Sequence, residues 1–371
     1  MKIAFVLPNL EFGGAELALL SLATLMAEKG KPFDVLLIVG SRKGDLTDRV
    51  PPSVRVVELG VPNLSKGLLR LRRTLTAESV DVLISAMPHG NLLALLAAFP
   101  FRKPRVVISE HGNVAAGLRE LRPIKRRVLF TLMRSLYPRA AAVLAVSPGL
   151  AKEVEQTLGV LAERIHVVRN PVLMPGWREQ AGSQVQHPWF APMHESPVLL
   201  WVGRMVESKG LSDLMGVFQK VRQKRVARLV LIGDGPARNE TSALVESMGL
   251  SDDVAFLGFQ ANPFQFMRAA DLFVLSSRWE GFGNVLIEAM ACGLPVVSFA
   301  CDHGPKALIQ HGVNGLLAPP RDSEALAQAV LQVLAQPQLR ASLVQGGKRT
   351  AEAFEAHTVA AETEAIIAGL D

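Results

Sequence analysis

The sequence predicts an α/β protein made of two Rossmann-like halves joined by a linker, each half a parallel sheet flanked by helices. Short β-branched or apolar runs alternate with longer helical patterns along almost the whole chain, the pattern of parallel-sheet architecture. One stretch, residues 171–197, breaks that rhythm with five prolines and little periodicity, and reads as a linker. The length, 371 residues, exceeds one compact core and suits two domains of about 150–200 residues each.

In the first half the expected strands are IAFVL (3–7), FDVLLIV (33–39), VRVVEL (54–59), VDVLISA (80–86), RVVIS (105–109), AAVLAVS (141–147) and RIHVV (164–168). Helical patterns separate them, such as AELALLSLATLMAEKG, where Gly30 reads as a helix stop. The second series is PVLLWVG (197–203), ARLVLIG (227–233), VAFLGF (254–259), DLFVLSS (271–277), LPVVSF (294–299) and NGLLAP (314–319). The expected domains are 1–172 and 173–349, the second opening with a linker at about 173–196. A last helix, roughly 348–369, is expected to cross back, so that residues 350–371 join the first domain. Two such halves place a cleft between the carboxyl ends of their sheets.

Composition narrows the class. Hydrophobic residues make up 49% and charged residues 20%, which excludes a disordered chain. Cys292 and Cys301 stand outside any C-x-x-C or Cys/His cluster, so neither a disulfide framework nor a zinc site is expected, and a reducing cytoplasmic setting follows. The start, MKIAFVLPNLEFGG, has an apolar run too short for a signal peptide. The most apolar stretch, Leu92 to Phe101, contains Pro100 and falls far short of the about 18 residues a membrane span needs.

Charge is unevenly placed. Residues 1–172 carry 24 Lys/Arg against 14 Asp/Glu, a balance of +10; the remainder carries 16 against 20, which recovers the net +6. Between Arg102 and Arg139 ten basic residues face two acidic ones, and GLRELRPIKRRVLFTLMRSLYPRA mixes them with apolar residues at near-helical spacing. A solvated helix face gives this pattern; so does a helix made for an anionic lipid surface or a phosphate-bearing partner. Confinement of the charge to one half favours the membrane surface. Nucleic acid is not expected, since no zinc-finger spacing or aromatic RNA-binding signature accompanies the charge.

Three motifs carry chemistry. After the first strand, NLEFGGAELALL sets Gly13 and Gly14 just before a helix start, where a backbone without Cβ can approach a ligand. The second half opens with WVGRMVESKG: Arg204 and Lys209 beside a strand end suit a diphosphate, although alone they fit two solvated loop charges equally well. This is not a P-loop, because Ser208 stands where that motif needs glycine. Third, SSRWEGFGNVLIEAMACGLPVV sets Glu280 on a loop and Glu288 about one turn inside the next helix. Between them Phe282 and the amides of Gly283, Asn284 and Val285 form a helix start able to bind phosphate oxygens. The two carboxylates can accept from ribose and sugar hydroxyls.

E-x₇-E in EGFGNVLIEAMACGLPVV, preceded by GR-x₄-KG and LIGDGP, resembles the retaining glycosyltransferases of family 4, which have the GT-B fold. FGGAE with its Glu16, ISEHG (108–112), VSPGLAKEV (146–154), IHVVRNPV (165–172) and HGVNGLLAPP (311–320) extend the resemblance over nearly the whole chain. It implies a nucleotide-sugar donor held by the second domain and an acceptor held by the first. Arg204 and Lys209 would take the donor diphosphate, helped by the amides after Gly283 and by the Gly13–Gly14 turn. Glu288 would bind the ribose diol and Glu280 the transferred sugar, while His111 matches the family's active-site histidine. The resemblance further implies retention without a metal or other cofactor.

Uridine is the expected base, with a hexose or N-acetylhexosamine as the sugar; His303, in CDHGPKALI, is a secondary candidate near it. With the basic first domain, a lipid-linked or cell-surface glycan acceptor follows, with the enzyme peripheral on the inner face of the plasma membrane. Two other readings share the fold, a sugar-nucleotide epimerase and a non-catalytic glycan-binding protein. A nicotinamide dehydrogenase is excluded because Arg238 and Leu286 occupy the third glycine positions of the two candidate G-x-G-x-x-G runs.

Overall fold

A computed structural model describes the chain except residues Phe12, Lys29, Asp45, Pro62, Asn63, Arg102, Asn113, Glu120, 192–195, Gly281, His303 and Asp371; of residues 65, 115, 116 and 119 it describes the backbone alone. The chain divides into two compact units, Met1–Pro171 with Ala356–Asp371, and Val172–Glu355.

The first unit carries β1 (Lys2–Leu7), β2 (Asp34–Val39), β3 (Arg55–Glu58), β4 (Val82–Ala86), β5 (Arg105–Glu110), β6 (Ala142–Ala145) and β7 (Ile165–Val167). All pair in parallel, in the order β3-β2-β1-β4-β5-β6-β7. The second unit holds β8 (Val198–Val202), β9 (Arg228–Ile232), β10 (Val254–Gly258), β11 (Leu272–Leu275), β12 (Val296–Phe299) and β13 (Leu316–Ala318), also parallel, in the order β10-β9-β8-β11-β12-β13. Each expected strand is present. They read as continuous apolar runs because helices cover both sheet faces, so β1, β4 and β8 bury nearly every residue.

Local signals fix the helices between them. In VSPGLAKEV, Ser147 caps the helix Pro148–Leu158 by accepting from the Leu150 N–H at 3.3 Å; Pro148 supplies a preset first turn and Gly159 closes the far end at φ +72°. The second unit's core gathers Trp201, Phe218 and Phe299, each fully buried, between sheet and helices. No helix among the described residues is long and apolar enough to cross a membrane.

Two sequence expectations change. Residues 173–196 are not a bare linker. Trp177–Ala181 is a short helix, and Trp177 is buried against Phe264 at 6.1 Å. Phe190 meets Phe266 edge-on and the Arg228 guanidinium lies over Trp189. Single aromatic anchors at irregular spacing hold this segment to the second unit, which is why no period revealed it. The expected helix 348–369 is two helices, Pro337–Glu352 in the second unit and Ala356–Ala368 in the first. The break falls where Phe354 turns into the second unit's interior, beside Phe282 at 5.6 Å, while its carbonyl accepts from the Leu173 N–H. Beyond it, Ala356–Ala368 packs on the helix Gly14–Met26, with Lys31 and Glu364 paired at 3.0 Å.

Candidate active site

In both sheets the strand order reverses once, between β1 and β4 and between β8 and β11. Loops at the carboxyl ends of such strand pairs diverge and leave room for a ligand. The motif residues fall at these points.

In the second unit, β8 runs into Gly203, Arg204 and Met205, and β11 into Ser276, Ser277 and Glu280. Lys209 reaches across from the first loop to the second: its Nζ lies 2.5 Å from Glu280 Oε1, which also accepts from Ser277 Oγ at 2.8 Å. The Glu280 side chain is only 8% exposed and that of Lys209 22%, so the pair sits inside the loop cluster. Backbone packing sets this geometry. Gly210 takes φ +59°, and a Cβ there would collide with the Ser276 carbonyl, whose own hydroxyl donates to the Lys209 carbonyl at 2.9 Å. Gly233 of LIGDGP, at φ +127°, is pressed against the Gly203 carbonyl in the same way. Met205 and Asp234 are joined by a backbone bond of 2.8 Å. The loop bearing Arg204 is thus stitched to LIGDGP beneath it. The Arg204 carbonyl accepts from the Val206 N–H at 2.9 Å, while its side chain is exposed and bonds none of the described residues.

Gly283, at φ +93°, opens the helix Asn284–Ala291, whose first amides have no carbonyl of their own helix to bond. Phe282 is buried beneath them, and Asn284, Val285 and Glu288 are half-buried on the first turns. The structure therefore sets Arg204, Lys209, Glu280 and Gly283 on loops of the second unit, and Asn284, Val285 and Glu288 on the first turns of the helix that follows. His303 lies outside the described residues. Cys292 and Cys301 are buried, and burial together with the nearby Glu288 and Glu280 charges pushes both thiols up to about 12.

In the first unit, Gly13 caps the helix Gly14–Met26 in an extended conformation, and a Cβ on it would strike the Glu16 carboxylate. Glu16 thus folds back over the turn; burial raises its pKa, against a bond to its own amide. His111 follows β5 with both ring nitrogens engaged. Asn170 Oδ1 lies 3.0 Å from Nδ1 and Ser109 Oγ 2.9 Å from Nε2. An amide oxygen only accepts, so Nδ1 carries the hydrogen and the Ser109 hydroxyl donates to Nε2. Burial lowers the His111 pKa to about 4 against the bond to Asn170, so the ring is neutral.

Sequence reasoning missed several supports. Arg278 ties the two second-unit loops: its Nε donates to Asp213 at 2.8 Å and its N–H to the Ser208 carbonyl at 2.8 Å, and Asp213 raises its pKa. Gly304 packs so tightly that a Cβ would lie 2.6 Å from Glu280 Cβ. Met87, at the carboxyl end of β4, holds φ +65°, a rare value for a side chain of its size. The SSR run before Trp279 was the available signal for the first of these.

The model of glycosyl transferases group 1 matches residues 186–350, and that of the glycosyl transferase 4-like domain matches residues 13–171. The chain belongs to the GT-B glycosyltransferases. This glycosyltransferase is 25% identical over 366 residues to the Campylobacter jejuni N-acetylgalactosamine-N,N'-diacetylbacillosaminyl-diphospho-undecaprenol 4-alpha-N-acetylgalactosaminyltransferase, covering 95% of this chain and 96% of the relative. It is 29% identical to the lipopolysaccharide core biosynthesis glycosyltransferase LpsE of Rhizobium meliloti, covering 91% and 90%. Among solved structures, Anabaena HepE in complex with UDP-glucose aligns with a TM-score of 0.77 at 25% identity, over 98% and 99% of the two chains. These matches support a transferase rather than the epimerase or non-catalytic readings.

Proposed function

We propose that this glycosyltransferase is a metal-independent, retaining enzyme of family 4 that moves a hexose or N-acetylhexosamine from a UDP-sugar to a lipid-linked or cell-surface glycan acceptor. The Lys209–Glu280 pair, set at the β8/β11 reversal beside the helix start at Gly283, carries the reading. A diphosphate needs fixed cations and oriented amides, and a sugar needs a fixed acceptor of hydroxyl hydrogens; this loop cluster offers both. Support for the substrates comes from the names of similar proteins, a diphospho-undecaprenol-linked acceptor in the Campylobacter relative and UDP-glucose in the HepE complex.

In this reading Arg204 and Lys209 hold the diphosphate with the amides of Gly283, Asn284 and Val285. Glu288 takes the ribose diol and Glu280 the sugar hydroxyls. In the first unit the assigned residues are His111, Gly13 and Gly14, with Glu16 in a supporting place; in the second, Phe282 and His303 are the supporting residues. Departure of the nucleoside diphosphate breaks the bond from the anomeric carbon to the β-phosphate oxygen and builds charge there. Preorganised cations and amides stabilise that charge most in the transition state, the work a divalent metal does elsewhere. The acceptor oxygen attacks on the same face and its proton passes to the leaving phosphate, so configuration is retained.

The enzyme further rests on an anionic membrane surface, at the inner face of the plasma membrane, through basic residues 102–139. The helix Pro123–Leu136 supports this: Met133 and Leu136 are buried, while Ile124, Val128 and Leu132 form an exposed stripe flanked by Lys125, Arg127 and Arg134.

Incubation with UDP-sugars in the presence of EDTA, with the product's anomeric configuration read by NMR, tests the reading. Turnover with retention supports it. Inversion, or turnover only with a divalent cation, contradicts it.

A further inference from the structure

Behind His111 stands a polar cluster that the transfer reaction as described leaves unused. Successive side chains of a strand point to opposite faces. At the end of β5, Ser109 and His111 share one face and Glu110 points to the other. Glu110 is 2% exposed. Its Oε1 accepts from Asn91 Nδ2 at 2.8 Å and from the hydroxyl of Tyr137, itself fully buried. Asn91, on the helix Pro88–Ala98, also reaches the Ser109 carbonyl at 3.3 Å and accepts from Ser85 of β4 at 2.8 Å. The strand end that presents His111 is therefore held from both sides, by Ser109 and Asn170 on the imidazole and by Glu110, Tyr137 and Asn91 behind it.

An apolar core would serve stability better than a carboxyl group here, because burying an ionisable group is costly unless hydrogen bonds offset it. Asn91 and Tyr137, from two separate elements, converge on this one carboxyl, and Asn91 also reaches the main chain next to His111, an arrangement that specifies a position.

We propose that Glu110 is a positioning residue of the transfer reaction, acting with Tyr137 and Asn91 to fix the β5 end and so the orientation of the His111 imidazole. The inference rests on His111 belonging to the active site. Ionised Glu110 only accepts hydrogen bonds, and charge-assisted bonds from Tyr137 and Asn91 hold the strand end more tightly than neutral ones. Burial raises its pKa to about 7, the Glu153 charge on the helix Pro148–Leu158 adding to that rise and Tyr137 and Asn91 opposing it. Neutral His111 stands beside it in sequence. The clamp thus tightens through neutral pH.

The test uses Glu110→Gln, which keeps the shape, and Tyr137→Phe, which removes one donor. With a UDP-sugar donor, kcat of the wild type rises between pH 6 and 8 with an inflection near 7. Glu110→Gln loses that inflection and about tenfold in kcat, with donor KM changed less than twofold; Tyr137→Phe moves the inflection upward. The imidazole ¹⁵N signals of His111, followed over the same range without substrate, show the same inflection in the wild type and none in Glu110→Gln. Kinetics and His111 signals in Glu110→Gln that match the wild type overturn the proposal. A wild type without turnover whose His111 signals still titrate near pH 7 overturns the active-site reading and leaves the clamp standing.

Discussion

Lys209 Nζ and Glu280 Oε1 lie 2.5 Å apart although their residues are 71 positions apart in sequence. The contact joins the loop after β8 to the loop after β11, and it leaves one cation and one carboxylate fixed in a mostly buried place before any ligand arrives. Preorganisation of this kind lowers the cost of ordering groups around a charged substrate.

Removing one partner strands the other. Among the described residues, Lys209→Ala leaves a nearly buried carboxylate with Ser277 as its remaining side-chain partner, and a loss of about 1–3 kcal/mol in unfolding free energy is expected. The double variant Lys209→Met, Glu280→Gln recovers most of that stability yet binds no nucleotide diphosphate. Urea unfolding of the three proteins checks the first expectation, and calorimetric titration with UDP the second.

Gly210→Ala and Gly233→Ala are expected to destabilise well beyond the usual cost of a surface substitution, since each combines positive φ with a Cβ collision against a carbonyl. Gly312→Ala, at φ +78° with open space around it, serves as the control that carries the φ cost alone. Melting temperatures should fall further for the first two than for the control.

Glu110 and His111 are neighbours with opposite shifts, and their effects on stability oppose each other. Glu110 binds its proton more tightly when folded, to about pH 7, so its contribution to stability declines as pH rises from its unfolded value near 4.5. His111 binds its proton less tightly when folded, to about pH 4, so its contribution is lost as pH falls below its unfolded value near 6.5. Between pH 4.5 and 6.5 the two slopes cancel, each being at most about 1.4 kcal/mol per pH unit. Relative to the wild type, His111→Gln should become less stable with rising pH in this window and Glu110→Gln more stable. Denaturant titrations at four pH values suffice to see the divergence.

Ile124, Val128 and Leu132 are 81%, 55% and 41% exposed, so replacing all three by serine should leave the melting temperature nearly unchanged. The same replacement is expected to reduce flotation with anionic vesicles several-fold while binding to neutral vesicles stays low throughout. Equal flotation of wild type and variant would show that this helix does not carry binding to the membrane.

Much of the fold was legible because a parallel sheet covered on both faces writes itself as apolar runs, and β1 to β13 were each found that way. The candidate donor cluster was legible for a different reason: glycines such as Gly210, Gly233 and Gly283 mark backbone that must pack without a Cβ, and charged residues beside them stand out. Residues 173–196 were misread because Trp177 and Phe190 anchor the segment one by one, without a period. The helix break at Phe354 was hidden because helical spacing continues across it, and tertiary contacts end the run: its ring against Phe282 and its carbonyl on the Leu173 N–H. Glu110 sat unnoticed inside ISEHG, since nothing local distinguishes a buried carboxylate from a solvated one; its partners Asn91 and Tyr137 come from distant parts of the chain.

At the centre of the proposed function stands a preformed, metal-free nucleotide-diphosphate site built on Lys209. Thermal stabilisation of the purified protein by UDP, GDP, ADP and NAD, each with EDTA present and repeated with Lys209→Ala, addresses it directly. A rise in melting temperature with UDP, left intact by EDTA and abolished by Lys209→Ala, is expected. Stabilisation by NAD alone, or a UDP effect that needs a divalent cation or survives the loss of Lys209, would contradict it.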